Sequence, residues 1–357
     1  MSMLNLFIQK PINMKIDINF KAKLSQDLYI IRGIAILLVV MGHVIGQNKG
    51  AGIRQLYNSD LFGLTWLVDF IYTFHMAVFF IASGVTFMIL SNRNAGYLEF
   101  LRSKLKRLFI PLLFWVPPFF VLQSLSKGNS FSFFDVIKAI ICPYSIFWFI
   151  HALIFATSFA FICFKVFKSK LIYIFLSLIL FAISLRFERI IIYDNVFYAF
   201  GVFIACYLPK IRVILERLYV NFTFIILFSS FSIMLMTYFI QVNFEEVFVN
   251  IINGIIGFFL IYTLAATSKK IISFKQLGKL LHSVKANFLY LGKISMVIYV
   301  LHIYFVTAIR VFLVQFGITQ PSLHFVLGCL AATLGPVIVY KILQTRSKVF
   351  RYSLGES

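Results

Sequence analysis

Ten runs of apolar residues, each about as long as a bilayer core is thick, recur along this chain and decide what it can fold into. They occupy roughly residues 29–47, 66–90, 108–125, 140–164, 171–186, 191–208, 219–240, 247–267, 288–313 and 322–343. A helix needs about 20 mostly apolar residues to cross a hydrocarbon core about 30 Å thick. Only helices and closed barrels satisfy their backbone polar groups in lipid. The chain is 61% hydrophobic and 13% charged, whereas a soluble domain carries about 25% charged residues. The expected fold is all-α, a polytopic membrane helix bundle of about ten transmembrane helices.

Charge placement gives the same count and an orientation. The net charge is +21, from 33 Lys and Arg against 12 Asp and Glu. These cations lie in the connections between apolar runs, so they read as loop charges beside anionic headgroups rather than as a nucleic-acid surface. Twenty-five of them fall in alternate connections, among them Lys21, Lys104, Arg107, Lys168, Arg212, Lys293 and Arg346. Seven fall in the other connections, including Arg54, Lys127, Lys138 and Arg310, and Arg32 lies inside the first run. Cytoplasmic loops carry the excess of Lys and Arg, so both termini are expected in the cytoplasm. The division expected is a cytoplasmic segment 1–26, a membrane domain 27–345 and a cytoplasmic tail 346–357. Segment 268–287 reads as a lysine-bearing cytoplasmic connection. No internal repeat is visible. The 45 Phe read as lipid-facing and packing bulk.

In a lipid-embedded chain the informative side chains are the ionisable ones inside the spans, which are costly and mark function by default. Arg32 and His43 share the first span, eleven residues apart. Eleven steps of about 100° are close to three turns, so the two lie on one face, about 16 Å apart along the axis. His75 lies in the second span at a depth similar to that of His43. Trp148 and His151 in the fourth span, and Tyr299 and His302 in the ninth, share the i, i+3 spacing that puts two side chains on one helix face. No H-x-x-x-H or H-E-x-x-H spacing occurs, and no carboxylate shares these spans, so no metal is expected. The four cysteines form no C-x-x-C pair and read as small apolar residues.

Five segments, in order, resemble the membrane acyltransferase-3 family. The run from Ile31-Arg32 to Gly42-His43 resembles its first-span signature of Arg, ten residues and His. Phe74-His75-Met76-Ala77-Val78-Phe79-Phe80-Ile81-Ala82-Ser83-Gly84 resembles its FHMPLFFxxSG element, with Ala77 where proline is usual. Lys104 to Pro111 resembles its basic element before the third span, with Lys104 in the first Arg position. Phe147-Trp148-Phe149-Ile150 resembles its WFL element, and Ser295 to His302 its SxxxYLxH element. The second-span form is most similar to polysaccharide O-acetyltransferase and fucose acetylase-like members.

The resemblance implies an O-acyltransferase of the bacterial cytoplasmic (inner) membrane. It implies transfer of an acyl group, usually acetyl, from acetyl-CoA or another acyl-CoA to a hydroxyl of a glycan or lipid-linked sugar. On that reading Arg32, Lys104 and Arg107 hold the acyl-CoA phosphates. His43 is the general base or a transient acyl carrier. His75 orients His43 or donates to the oxyanion. Ser83, Trp148, His151, Tyr299 and His302 line the acceptor path. The competing reading is a carrier or flippase for a lipid-linked sugar, which shares the spans and the histidines but needs no acyl-CoA. No oligomeric state can be read from the sequence.

Overall fold

The computed structural model describes residues 18–48, 50–57, 63–91, 96–187, 190–240, 246–272 and 278–356. Every regular element among them is helical. In chain order these are α1 (Ile18–Ile45), α2 (Leu64–Tyr72), α3 (His75–Leu90), α4 (Tyr97–Lys104), a π-helical turn (Leu105–Phe109), α5 (Ile110–Ser126), α6 (Phe133–Ile141), α7 (Trp148–Val166), α8 (Lys170–Phe187), α9 (Ile190–Tyr193), α10 (Asn195–Ile204) and α11 (Leu208–Arg217). Then come α12 (Val220–Ile240), α13 (Glu246–Ile272), α14 (Gly278–Lys293), α15 (Ser295–Gln315), α16 (Pro321–Arg346) and α17 (Lys348–Ser353). Nine units among the described residues are long and apolar enough to cross a membrane. A tenth is formed if Ile191–Ile204 and Leu208–Arg217, bent by 69° at Ala205–Tyr207, make one broken span. The protein is a multi-pass membrane protein.

Four of the ten expected spans differ in detail. The second is two helices parted at Thr73–Phe74, although Ala77 stands where a proline would explain a break. Thr73 stabilises that break by donating its hydroxyl to the Phe70 carbonyl (2.7 Å) and accepting from the Asn253 amide (3.1 Å). The fourth span starts only at Trp148, and the residues before it form a separate short helix, α6. The sixth carries the 69° bend. The ninth is divided at Ile294, so residues 288–293 belong to α14.

The segments expected as flanking pieces are also built into the bundle. Residues 18–26, expected in the N-terminal segment, continue α1 as helix, while residues 1–17 lie outside the described part. There Asp27 pairs with Arg212 of α11, and Arg212 also donates to Glu216 at 2.8 Å. Likewise α14 is packed on α1 rather than standing as a free connection. Gly33 and Gly292 let the two backbones meet. A Cβ on Gly292 would fall 1.7 Å from the Tyr29 carbonyl oxygen, and one on Gly33 2.1 Å from that of Phe288. Small residues at such crossings are the usual device for close helix approach in lipid. Gly84 and Gly201 bring α3 and α10 together in the same reciprocal way.

The buried core runs along α1 and α3, which lie at the centre with α7, α10, α13 and α15 around them. By contrast α8 and α12 present exposed Phe, Leu and Ile along their length, the surface expected of helices that face lipid.

Candidate active site

Because α1 is one unbroken helix, Arg32 and His43 stand on its inner stripe at two depths. Arg32 donates from Nη2 to Thr86 Oγ1 of α3 at 2.8 Å, and Thr86 in turn donates to the Ala82 carbonyl at 2.8 Å. A threonine hydroxyl can do both at once, so it holds the guanidinium without itself being charged.

Arg32 opens onto a cavity of about 250 Å³ lined also by Lys104, Arg107, Ser83, Tyr198 and Tyr299. The three cations that the sequence grouped are thus brought to one place. The π-helical turn after Lys104 carries that segment past the mouth, where Arg107 is exposed. Among the described residues Lys293 is a fourth cation on the lining, and Glu356 is the one carboxylate. Among the described residues, four positive groups against one negative give this lining a net positive field.

The far wall near the mouth comes from the segment after α17. Gly355 has φ +74°, and a Cβ there would lie 2.7 Å from the Arg107 Cα. A side chain is therefore excluded both by the left-handed backbone and by contact. Glu356 accepts from the Tyr340 hydroxyl at 2.8 Å, and Trp115 Nε1 donates to the Ser353 carbonyl at 3.2 Å. The segment after α16 is thus folded against the bundle, with Leu354, Gly355 and Glu356 on the cavity lining.

At the inner end of the cavity Tyr299 donates its hydroxyl to the Ile146 carbonyl. Its ring lies 6.1 Å from that of His302, and the His302 ring lies 5.1 Å from that of His43. The lining includes Tyr299 but neither His302 nor His43, so the two histidines lie behind the cavity wall, joined to it by ring contacts alone. His302 Nδ1 faces two carbonyl oxygens, of Tyr299 at 2.7 Å and Ile298 at 3.0 Å. Carbonyls only accept, so the Nδ1 proton is fixed there and Nε2 carries the lone pair of the neutral ring. That Nε2 is buried without a partner among the described residues.

His75 of α3 is a third imidazole, linked to α1 through Tyr72. Its Nδ1 contacts the Ile71 carbonyl at 2.8 Å across the helix break. The Tyr72 ring meets it edge-on at 4.9 Å and packs against Gly42, where a Cβ would come within 2.9 Å of the Tyr72 ring. With Nδ1 donating, a neutral His75 offers Nε2 only as an acceptor, which suits orienting a neighbour rather than donating to an oxyanion.

Three of the acceptor-path residues, Trp148, His151 and His302, stand apart from the cavity lining, as do His43 and His75. Trp148 is half-buried and meets Phe149 edge-on at 6.4 Å. His151 contacts the Phe147 carbonyl at 3.1 Å through Nδ1 and the Ile140 carbonyl at 2.9 Å through Nε2. It therefore pins α6 to the first turn of α7. Thr86, Tyr72, Lys293, Gly355 and Glu356 were not singled out by the sequence reading. Thr86 lies three residues after Ser83, on the same face. Tyr72 stands three residues before His75 and Lys293 two before Ser295, whereas Gly355 and Glu356 come from a remote segment and left no local signal. Among the described residues no group of three or more His, Cys, Asp or Glu is placed to hold a metal ion.

Compared with known proteins, residues 26–341 match the family model of the acyltransferase domain of type 3. No curated protein and no solved structure gave a match.

Proposed function

The chain belongs to the membrane acyltransferase-3 family, and from that premise we propose that it moves an acyl group, acetyl foremost, from cytosolic acyl-CoA to a sugar hydroxyl of a surface polysaccharide or its lipid-linked precursor. The membrane is the bacterial cytoplasmic membrane, with both termini and the cationic mouth on the cytosolic side. One observation carries this reading: a single cavity takes in Arg32, Lys104, Arg107 and Tyr299, and the Tyr299 ring neighbours the His302–His43 pair.

The cavity is narrower than the roughly 300–1,000 Å³ of sites that enclose drug-sized ligands. It suits the elongated pantetheine arm, while the nucleotide phosphates stay at the exposed Arg107 and Lys293. Arg107 and Lys104 bind phosphate by charge-assisted hydrogen bonds, and Arg32, held by Thr86, lies deeper along the arm. The arm then directs the thioester toward the histidines.

There His43 removes the proton of the acceptor hydroxyl as the sugar oxygen attacks the thioester carbonyl carbon. The carbon–sulfur bond breaks, and the thiolate takes the proton back from His43 to leave as the free thiol. The lone pair of His302 Nε2 is available to accept from an N–H of His43, which fixes the tautomer in which the other ring nitrogen faces the hydroxyl. A base oriented by a third group is the arrangement that nucleophilic acyl transfer requires.

The test is to incubate membranes that contain the protein with radiolabelled acetyl-CoA and to follow the label. Label in the glycan fraction supports the proposal. Glycan that moves across the membrane without acquiring label points to a carrier instead.

A further inference from the structure

A second concavity lies at the other end of α5. Lys104 and Arg107, just before α5, line the cationic cavity, whereas Gln123 and Ser124, near its last turn, line a groove of about 440 Å³. From Arg107 to Gln123 is about 24 Å at 1.5 Å per residue, so the groove opens toward the opposite face of the bundle.

Its walls are of two kinds. Phe120, Phe131 and Tyr144 give it aromatic faces, with Phe120 meeting Phe131 at 5.7 Å and Tyr144 at 5.3 Å between centroids. Between them stand amide, hydroxyl, carboxylate and ammonium groups. Tyr144 donates to Gln123 Oε1, which fixes one wall. Asp135 spends Oδ2 on the Ser132 backbone and hydroxyl, both at 2.8 Å. The exposed side chains of Asn129, Ser130 and Lys127 make no side-chain hydrogen bond among the described residues.

The floor is α6, a two-faced helix. Asp135, Lys138, Ala139 and Cys142 follow the i, i+3, i+4, i+7 spacing of one face and line the groove, whereas Phe134 and Ile141 are exposed on another. A short helix with that division lies in a membrane interface. His151 holds α6 in place through the Ile140 carbonyl.

The groove is joined to the reaction centre by the turn between α6 and α7. Tyr144 is a groove wall, and two residues later the Ile146 carbonyl accepts from Tyr299 of the inner cavity. Between them Ser145 takes φ +44°, a left-handed conformation that costs a non-glycine residue about 1 kcal/mol or more.

We propose that this groove binds sugar rings of the acceptor glycan at the membrane surface. Apolar ring faces pack on aromatic side chains, and hydroxyls need both donors and acceptors nearby. An anionic lipid headgroup is disfavoured by the Asp135 carboxylate, which lines the groove with Lys127 and Lys138. The inference rests on the acyltransferase reading for the identity of the sugar as acceptor, but sugar binding itself does not.

The experiment uses the full chain in lipid nanodiscs on a printed array of bacterial-type oligosaccharides, with acetyl-CoA affinity measured in parallel. The wild type binds a subset of the array. Phe131→Ala weakens that binding about tenfold and Asn129→Ala about fivefold, with acetyl-CoA affinity unchanged. Asn129 is on an exposed turn, so its variant folds even if the aromatic one does not. His43→Ala binds sugar as the wild type does. An array on which the wild type binds nothing, groove variants that bind as the wild type, or bound sugar displaced by glycerol phosphate each overturn the groove assignment. Sugar binding that depends on the groove in a protein with no acetyl transfer leaves the groove standing and removes the acyltransferase chemistry.

Discussion

His43 of α1 and His302 of α15 meet with ring centroids 5.1 Å apart. The two carbonyls at His302 Nδ1 fix its proton and leave Nε2 as the free acceptor. His302→Phe keeps the ring volume and removes that acceptor. It is expected to lower kcat by about a hundredfold, within the usual range for general acid–base groups, with KM for acetyl-CoA unchanged. Steady-state kinetics on purified protein check this. An equal rise in KM would show that the ring acts through the donor cavity instead.

Among the described residues, Arg32 donates a side-chain hydrogen bond to Thr86. A hydrogen bond to a charged group contributes about 1.5–3 kcal/mol. Thr86→Val is therefore expected to weaken acetyl-CoA binding at least tenfold, while Thr86→Ser retains most of it. Equilibrium binding of acetyl-CoA reads this directly. Arg107→Ala is expected to weaken donor binding more than it slows turnover.

Gly355 combines a positive φ with a backbone contact to Arg107. Gly355→Val must displace either its own segment or Arg107, so donor affinity falls while the bundle stays folded. Circular dichroism and acetyl-CoA titration together separate the two effects.

Asp27 and Arg212 form a buried ion pair between α1 and α11. Removing one partner of such a pair costs about 3–5 kcal/mol. Asp27→Ala is expected to lower the thermal midpoint in a given detergent, with the remaining Glu216 contact limiting the loss. Asp27→Ala with Arg212→Met is expected to recover most of it.

Gly292 sits where a Cβ would be 1.7 Å from the Tyr29 carbonyl oxygen, whereas nothing lies within 4 Å of one built on Gly96. Gly292→Val is expected to separate α14 from α1 and reduce the amount of folded protein in the membrane. Gly96→Ala is expected to leave it unchanged. Size-exclusion chromatography of detergent extracts checks both.

The membrane spans were legible because lipid imposes run length and charge alternation over whole segments. The Arg32–His43 stripe was legible because both residues lie on one unbroken helix, where spacing sets direction. Features made between helices left no such trace. The His43–His302 contact joins residues 259 apart in sequence, and the break at Thr73 depends on Asn253 from α13. The break at Ile294 carries no proline, and its one mark is Lys293, counted among the loop cations although it lies within the run 288–313. The start of α6 did carry a readable signal. Ser132 and Asp135 form a capping box, and that spacing before an apolar run marks a helix start. It was absorbed into a loop because α6 is too short to cross a membrane.

The central claim is tested most directly by single-turnover transfer from radiolabelled acetyl-CoA to glycan in nanodiscs, comparing wild type with His43→Ala at saturating donor. The account predicts that the variant binds acetyl-CoA with unchanged affinity and transfers no label. Transfer at the wild-type rate by His43→Ala would contradict it.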